Sequence, residues 1–242
     1  MFECDGSHGK FCESRLMAKS SANIAVCQTE GTMTTVNLRV VDLYQGDRVS
    51  DFGKAAQDGV WGIIHKASTG ATGWDRKYAE RRQKAVAAGL LWGAYHWGTG
   101  IDVKRQVDNF LKRAEPDTNT LVALDYEDDP NQMSLGQARE FLTRLSDKLG
   151  RKAVLYSGHV AKDNLKHKKD EFFGSHRLWL SQYSDHPSVQ DSWQAFWLWQ
   201  YTDGKNGPHP RTVSGLPGNA KGELDCNSYN GTKDQLKREW AS

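Results

Sequence analysis

From Val36 onward, short runs of β-branched and aromatic residues alternate with longer stretches in which apolar positions recur every three or four residues. The short runs VNLRVVDLY, VWGIIHKAS, LLWGAYHW, TLVALDYE, KAVLYSG, RLWLSQY, FWLWQY and GELDCN predict eight strands. Ser134 and Gln137 form the capping pair of a helix whose apolar face is Leu135, Ala138, Phe141, Leu142, Leu145 and Leu149, with Gly150 ending it. Asp75 precedes a second helical stretch that reaches Ala88, and Asp102 is placed to cap a third carrying Val103, Val107, Phe110, Leu111 and Ala114. Strands alternating with helices predict an α/β fold with a parallel sheet. Between Ser184 and Ala220 the helical period fades, so the last third is expected to be irregular.

Residues 1–34 carry neither period and are polar, with Ser, Thr and Gly throughout. They are read as a disordered leader, a stretch upstream of a start at Met33, or a non-native extension, leaving residues 35–242 as one domain. No secretory h-region is visible in the leader. No run approaches the roughly 18 apolar residues of a membrane span, so no stable membrane insertion is expected. The 32 basic and 30 acidic side chains leave a net charge of +2, too weak a field for a nucleic-acid partner. Cys4, Cys12, Cys27 and Cys226 follow neither a metal-site nor a disulfide spacing. The 8 histidines form no metal-binding pattern, and STGATG lacks the Gly-Lys-Ser/Thr of a phosphate loop and reads as a turn. The expectation is a monomer without metal or cofactor. The 9 tryptophans and 8 tyrosines exceed what packing alone usually recruits, and rings with a polar handle suit a groove.

The fourth run ends in acid, as LVALDYEDDP. Residues i and i+2 of a strand share a face about 6.6 Å apart, so Asp125 and Glu127 present two carboxyl groups together while Tyr126 points away. Repulsion and burial then raise one pKa, giving a proton donor beside an ionised partner, as glycoside hydrolysis requires. That spacing falls between the retaining and inverting ranges and selects neither. Alone, the stretch also suits a solvated acidic loop or a cation site. Asp42, at the end of the first predicted strand, and Asp225, at the end of the last, add two more acids expected at the same barrel mouth.

The ordered pieces VDLYQG, GIIHKASTG, AAGLLWGAYHW, LVALDYE, VLYSG, LWLSQY, WLWQYTDG and LDCNSYNG resemble glycoside hydrolase family 25, the Chalaropsis-type lysozymes, from about Val36 to Gly231. The resemblance implies a modified (β/α)8 TIM-like barrel. It also implies cleavage of bacterial peptidoglycan strands between N-acetylmuramic acid and N-acetylglucosamine. It gives Glu127 the role of general acid and Asp125 that of assisting the 2-acetamido group or the developing positive charge. Asp42 and Asp225 are implied to shape the charge and hydrogen bonds of the site.

Action at the cell wall without a visible signal peptide implies delivery by a phage lysis machinery or a dedicated secretion system. Little chain follows the last predicted helix, so no separate wall-binding module is expected. Tyr44 stands where the family commonly has serine, and His65 precedes Lys66 where an aliphatic residue is usual. Tyr95, Trp97, Tyr183, Gln200 and Tyr201 are the expected substrate contacts, and Trp179, Trp197 and Trp199 are expected in the core. Two rival readings are a non-catalytic carbohydrate-binding barrel and a chitinase-like glycosidase. The second lacks acids in Leu121 to Leu124, where that family's longer motif needs them.

Overall fold

The computed structural model describes residues 34–242, so the expected leader lies almost wholly outside the described residues. The chain runs β1 (Leu38–Leu43), α1 (Phe52–Gln57), β2 (Gly62–Thr69), β3 (Gly73–Trp74), α2 (Tyr78–Ala87), β4 (Leu91–Trp97), α3 (Val103–Ala114) and β5 (Leu121–Asp125). It continues through α4 (Leu135–Leu149), β6 (Val154–Ser157), α5 (His159–Leu165), α6 (Glu171–Gly174), β7 (Leu178–Ser181), β8 (Leu198–Thr202), β9 (Asp225–Ser228) and α7 (Lys233–Glu239). All eight expected strands form, and the turn at STGATG adds the two-residue β3 as an arm on β2.

The local signals act as read in all three helices. Ser134 and Gln137 make a reciprocal capping box on α4, which ends at Gly150 with φ of 67°, a conformation that favours glycine. Asp102 caps α3 by accepting from the Arg105 amide. Asp75 precedes α2, which starts at Tyr78, and its carboxylate accepts from the backbone of Lys77 and Gln45, tying the helix approach to the loop after β1.

The sheet order β1-β9-β8-β7-β6-β5-β4-β2 closes through a β1–β2 pairing into an eight-stranded barrel. It is not wholly parallel, as the alternating pattern predicted: β9 runs antiparallel to both β8 and β1. A parallel return needs a crossover back to the barrel floor, usually a helix. The segment between β8 and β9 has none, so it leaves and re-enters at the same mouth. Asp225 is therefore the first residue of its strand, not the last. It pairs with Asp42, because the reversal brings the start of β9 level with the end of β1.

Alternation divides each strand between two cores. Val41, Leu43, Ile63, Val122, Leu124, Leu155 and Leu180 face outward into the layer beneath the helices, with Phe110, Phe141 and Tyr126. Val40, Ile64, Leu121, Ala123, Val154 and Leu198 fill the barrel interior. Beyond β9, α7 delivers Trp240 to the barrel floor. Its indole donates to the Trp92 carbonyl at 2.7 Å and lies against Gly62, where a Cβ would sit 2.7 Å from the ring. Trp240→Ala would empty that plug and is expected to cost about 3–5 kcal/mol, read as a fall in the denaturant midpoint at unchanged slope. A loss under about 1 kcal/mol would show that the floor is closed by something else.

Candidate active site

At the opposite end of the barrel, the interior positions turn from apolar to polar. A cleft of about 120 Å³ is lined by Asp42, Tyr95, Trp97, Asp125, Glu127, Tyr156, Trp179, Tyr183, Gln200 and Asp225. The register explains the gathering: Trp97 is level with Asp125, Asp125 with Tyr156, Tyr156 with Trp179, and Asp42 with Asp225. Glu127 follows two residues after Asp125 and so keeps its parity. The four acids that the sequence marks come together.

Asp42 is held by two side-chain amides. Gln200 Nε2 reaches its two oxygens at 3.0 and 3.1 Å, and Asn227 Nδ2 donates to Oδ1 at 2.7 Å. Each amide is oriented from its far side. The Trp179 indole donates to Asn227 Oδ1 at 2.6 Å, while the hydroxyls of Tyr156 and Tyr183 both donate to Gln200 Oε1 at 2.8 Å. These donors leave each NH2 group only one sensible direction, toward Asp42. Gln200→Leu would remove one of the two amide donors to Asp42 and the shared acceptor of both hydroxyls at once. An expected loss of about 1–3 kcal/mol would appear as a lower Tm, whereas an unchanged Tm would mean that the network carries no stability.

Asp125 has the opposite surroundings: it is buried, and its Oδ1 has no hydrogen-bond partner among the described residues. Burial first, and then repulsion from Glu127, hold its pKa well above the ordinary carboxylate range. Glu127 is also raised by burial, but a hydrogen bond with Tyr156 and the charges of His159 and Lys66 draw it back down. Asp42 is pushed up to about 7 by burial against the pull of its two amide donors, and Asp225 rises through burial and the Asp42 charge. Such a chamber holds a proton at pH values where free carboxyl groups have lost theirs. Its counter-charge is Lys66, whose ammonium lies 5.1 Å from the Tyr44 ring centre and 5.0 Å from that of Trp97.

Of the expected contacts, Tyr95, Trp97, Tyr183 and Gln200 line the cleft and Tyr201 does not. Tyr201 has the outward parity of β8, is fully buried beside Trp199, and donates its hydroxyl to the Pro210 carbonyl. It is a core residue. Trp199 also packs in the outer layer; Trp179 is equally buried but lies inside the barrel, under the acids. Tyr44 stands at the mouth, over Gly46 and against Lys66.

The unusual His65 is buried outside the barrel. It accepts from Arg81 at Nε2 and donates from Nδ1 to the Lys66 carbonyl, and burial lowers its pKa to about 3, so the ring is neutral. Arg81 in turn donates to the carbonyls of Tyr44 and Asp47, so the pair fixes the loop that carries Tyr44. His96 is a core residue between Ser68 and Gln106, stacked on Phe141.

Tyr156, Lys66 and Asn227 were absent from the expected set. Parity could have found Asn227, two residues after Asp225, whereas Tyr156 and Lys66 needed the inter-strand register.

The sequence profile of Glycosyl hydrolases family 25 matches residues 41–209, a span that holds Asp42, Asp125 and Glu127 and stops before Asp225. An autolytic lysozyme of Clostridium acetobutylicum is 26% identical over 194 residues, covering 76% of this chain and 54% of that protein. The chain thus spans about half the length of the curated relative it matches. The bacterial lysozyme from Streptomyces coelicolor superposes with a TM-score of 0.73 at 20% identity, covering 86% of this chain and 99% of that one. A family 25 lysozyme from Aspergillus fumigatus does so with a TM-score of 0.68 at 24% identity, covering 85% and 99%. At these identities the superpositions speak for a shared fold.

Proposed function

Because the chain belongs to glycosyl hydrolase family 25, we propose that it is a lysozyme of the muramidase type. It hydrolyses the β-1,4 bond from N-acetylmuramic acid to N-acetylglucosamine in bacterial peptidoglycan. The observation that carries this reading is the convergence of Asp42, Asp125, Glu127 and Asp225 on one aromatic-lined cleft.

Glu127 is the general acid: it gives its proton to the glycosidic oxygen, and the departing sugar keeps the electron pair of the broken bond. In the free protein burial raises both acids, and Asp125 Oδ1 has no hydrogen-bond donor among the described residues to favour its ionised form. Substrate changes that balance. An acetamido N–H donated to Asp125 favours its ionised form, and the proton is then held by Glu127, beside the bond to be broken. Ionised Asp125 faces the acetamido group or the positive charge developing at the anomeric carbon, and water completes the reaction by supplying the new hydroxyl.

Asp42, braced by Gln200 and Asn227, and Asp225 set the negative field around that carbon. Trp97 and Tyr183 offer ring faces to the sugars. The substrate is the peptidoglycan strand itself, so action is at the cell wall, and no helix among the described residues is long and apolar enough to cross a membrane.

The test is to digest purified peptidoglycan, reduce the products with borohydride and identify the new sugar ends by mass spectrometry. Muramitol ends support the muramidase reading. Glucosaminitol ends would replace it with a glucosaminidase, and binding without new ends would replace it with a carbohydrate-binding barrel.

A further inference from the structure

Joined to the acid cleft through Glu127 and Tyr183 is a second hollow of about 320 Å³, between the upper ends of β6 and β7. Apart from Glu127 at the junction its wall holds no acid, and it carries two basic side chains from α5, His159 and Lys162. Lys162 is half-buried, and its ammonium donates to Gln182 Oε1 at 2.7 Å and to Ser188 Oγ at 3.2 Å. Both acceptors are neutral, and no carboxylate among the described residues pairs with this lysine. Lys84 and Lys104 on the outer helices differ, each exposed and paired with an acid one turn away.

An ammonium has three N–H donors, so one remains after the two bonds to the wall. Burial without a counter-charge disfavours the charged form, and the Lys162 pKa is lowered by that cause. A positioned cation lacking only its partner, next to an otherwise negative cleft, suits an anionic group on the same ligand.

We infer that this hollow receives the carboxylate-bearing arm of the muramic sugar and that Lys162 is a specificity-determining residue. The inference rests on the muramidase reading and names the part of the substrate which that reading leaves open. N-acetylglucosamine is uncharged, whereas the muramic sugar carries an ether arm ending in a carboxyl group, free or extended by a peptide with carboxylates of its own. The hollow shares Glu127 with the cleft, so the arm is placed while the glycosidic oxygen meets its proton donor. Lys162 thereby separates peptidoglycan from an uncharged N-acetylglucosamine polymer of the same linkage.

The experiment compares peptide-free glycan strands as the free carboxylate with the same strands converted to the methylamide, and includes peptide-bearing strands as a third substrate. The wild-type protein is expected to cleave the carboxylate form with about tenfold higher kcat/KM, the worth of one well-placed charge-assisted bond. Lys162→Gln should abolish the preference, so that the two forms are cleaved at equal rates, with an unchanged circular-dichroism spectrum reporting an intact fold; Lys162→Arg should keep the preference. A charge preference found only with peptide-bearing strands, and lost in Lys162→Gln, supports the site and assigns the carboxylate to the peptide. Equal rates on all forms, or a preference that survives Lys162→Gln, would overturn the inference while leaving the muramidase reading intact. No cleavage of any strand by the wild type would overturn both.

Discussion

Glu127→Gln is expected to lower kcat on purified peptidoglycan by about 10²–10⁴-fold, the usual contribution of a positioned proton donor, without lowering Tm at pH 7, since it removes a raised carboxyl group that repels Asp125. The substitution changes no shape, and the amide keeps an acceptor oxygen where the carboxyl group had one. What disappears is the proton. KM should move little, because Trp97 and Tyr183, the proposed ring faces for the sugars, still line the cleft. Release of reducing ends at the wild-type rate would remove Glu127 from the mechanism and leave Asp125 as the donor to be tested.

Asp125→Asn should separate function from stability. Turnover is expected to fall by about 10²–10³-fold, as when one preorganised group facing developing charge is removed. Thermal stability at pH 7 should rise, since the carboxyl group is buried, lacks a partner for Oδ1 and is repelled by Glu127.

The sign follows from linkage. A carboxyl group whose pKa is raised on folding binds its proton more tightly in the folded chain than in the unfolded one, where it lies near the free value of about 3.9. Its stabilisation is therefore present below that free value and lost as pH rises through the folded value. Wild-type Tm should fall between pH 4 and pH 7, and Asp125→Asn should flatten part of that fall. Asp42, raised to about 7, and Asp47, raised to about 6, keep some slope in the variant. Identical pH profiles for wild type and variant would mean that Asp125 ionises in the folded chain as freely as in solvent.

The stabilising and damaging effects have one origin. Four acids gathered in a barrel mouth are a poor way to hold a fold together and a good way to hold a proton. The apolar interior below, sealed by Trp240, and the outer layer around Phe110 and Phe141 offset the strain of that gathering.

Much of this was legible along the chain because the signals are local. Period-2 alternation put Asp125 and Glu127 on the interior side and Tyr126 outside, where it is packed. The capping pair Ser134 and Gln137 marked the start of α4 within the residues that form it. Tyr201 fails on the same rule that succeeds for Asp125, since Gln200 faces the cleft and the next residue must face away. Parity, not nearness to a motif, decides its side of the strand.

Strand direction has no such local signature, because a short β-branched run pairs equally well either way and the connection decides. GELDCN contains an acid that lines the cleft, yet the pattern predicts Asp225 at the far end of a parallel strand, and the mouth-to-mouth return from β8 makes it the near end of an antiparallel one. Inter-strand register, which sets Tyr156 beside Asp125 and directs Gln200 and Asn227 onto Asp42, is likewise a property of the closed barrel. By itself the sequence determined which side chains could do chemistry and which face of each strand they take, since both follow from residue type and a two-residue repeat. Only the tertiary structure decided which of them meet, how each amide is oriented, and where a cation stands with no carboxylate partner among the described residues, since these depend on contacts between residues far apart in the chain.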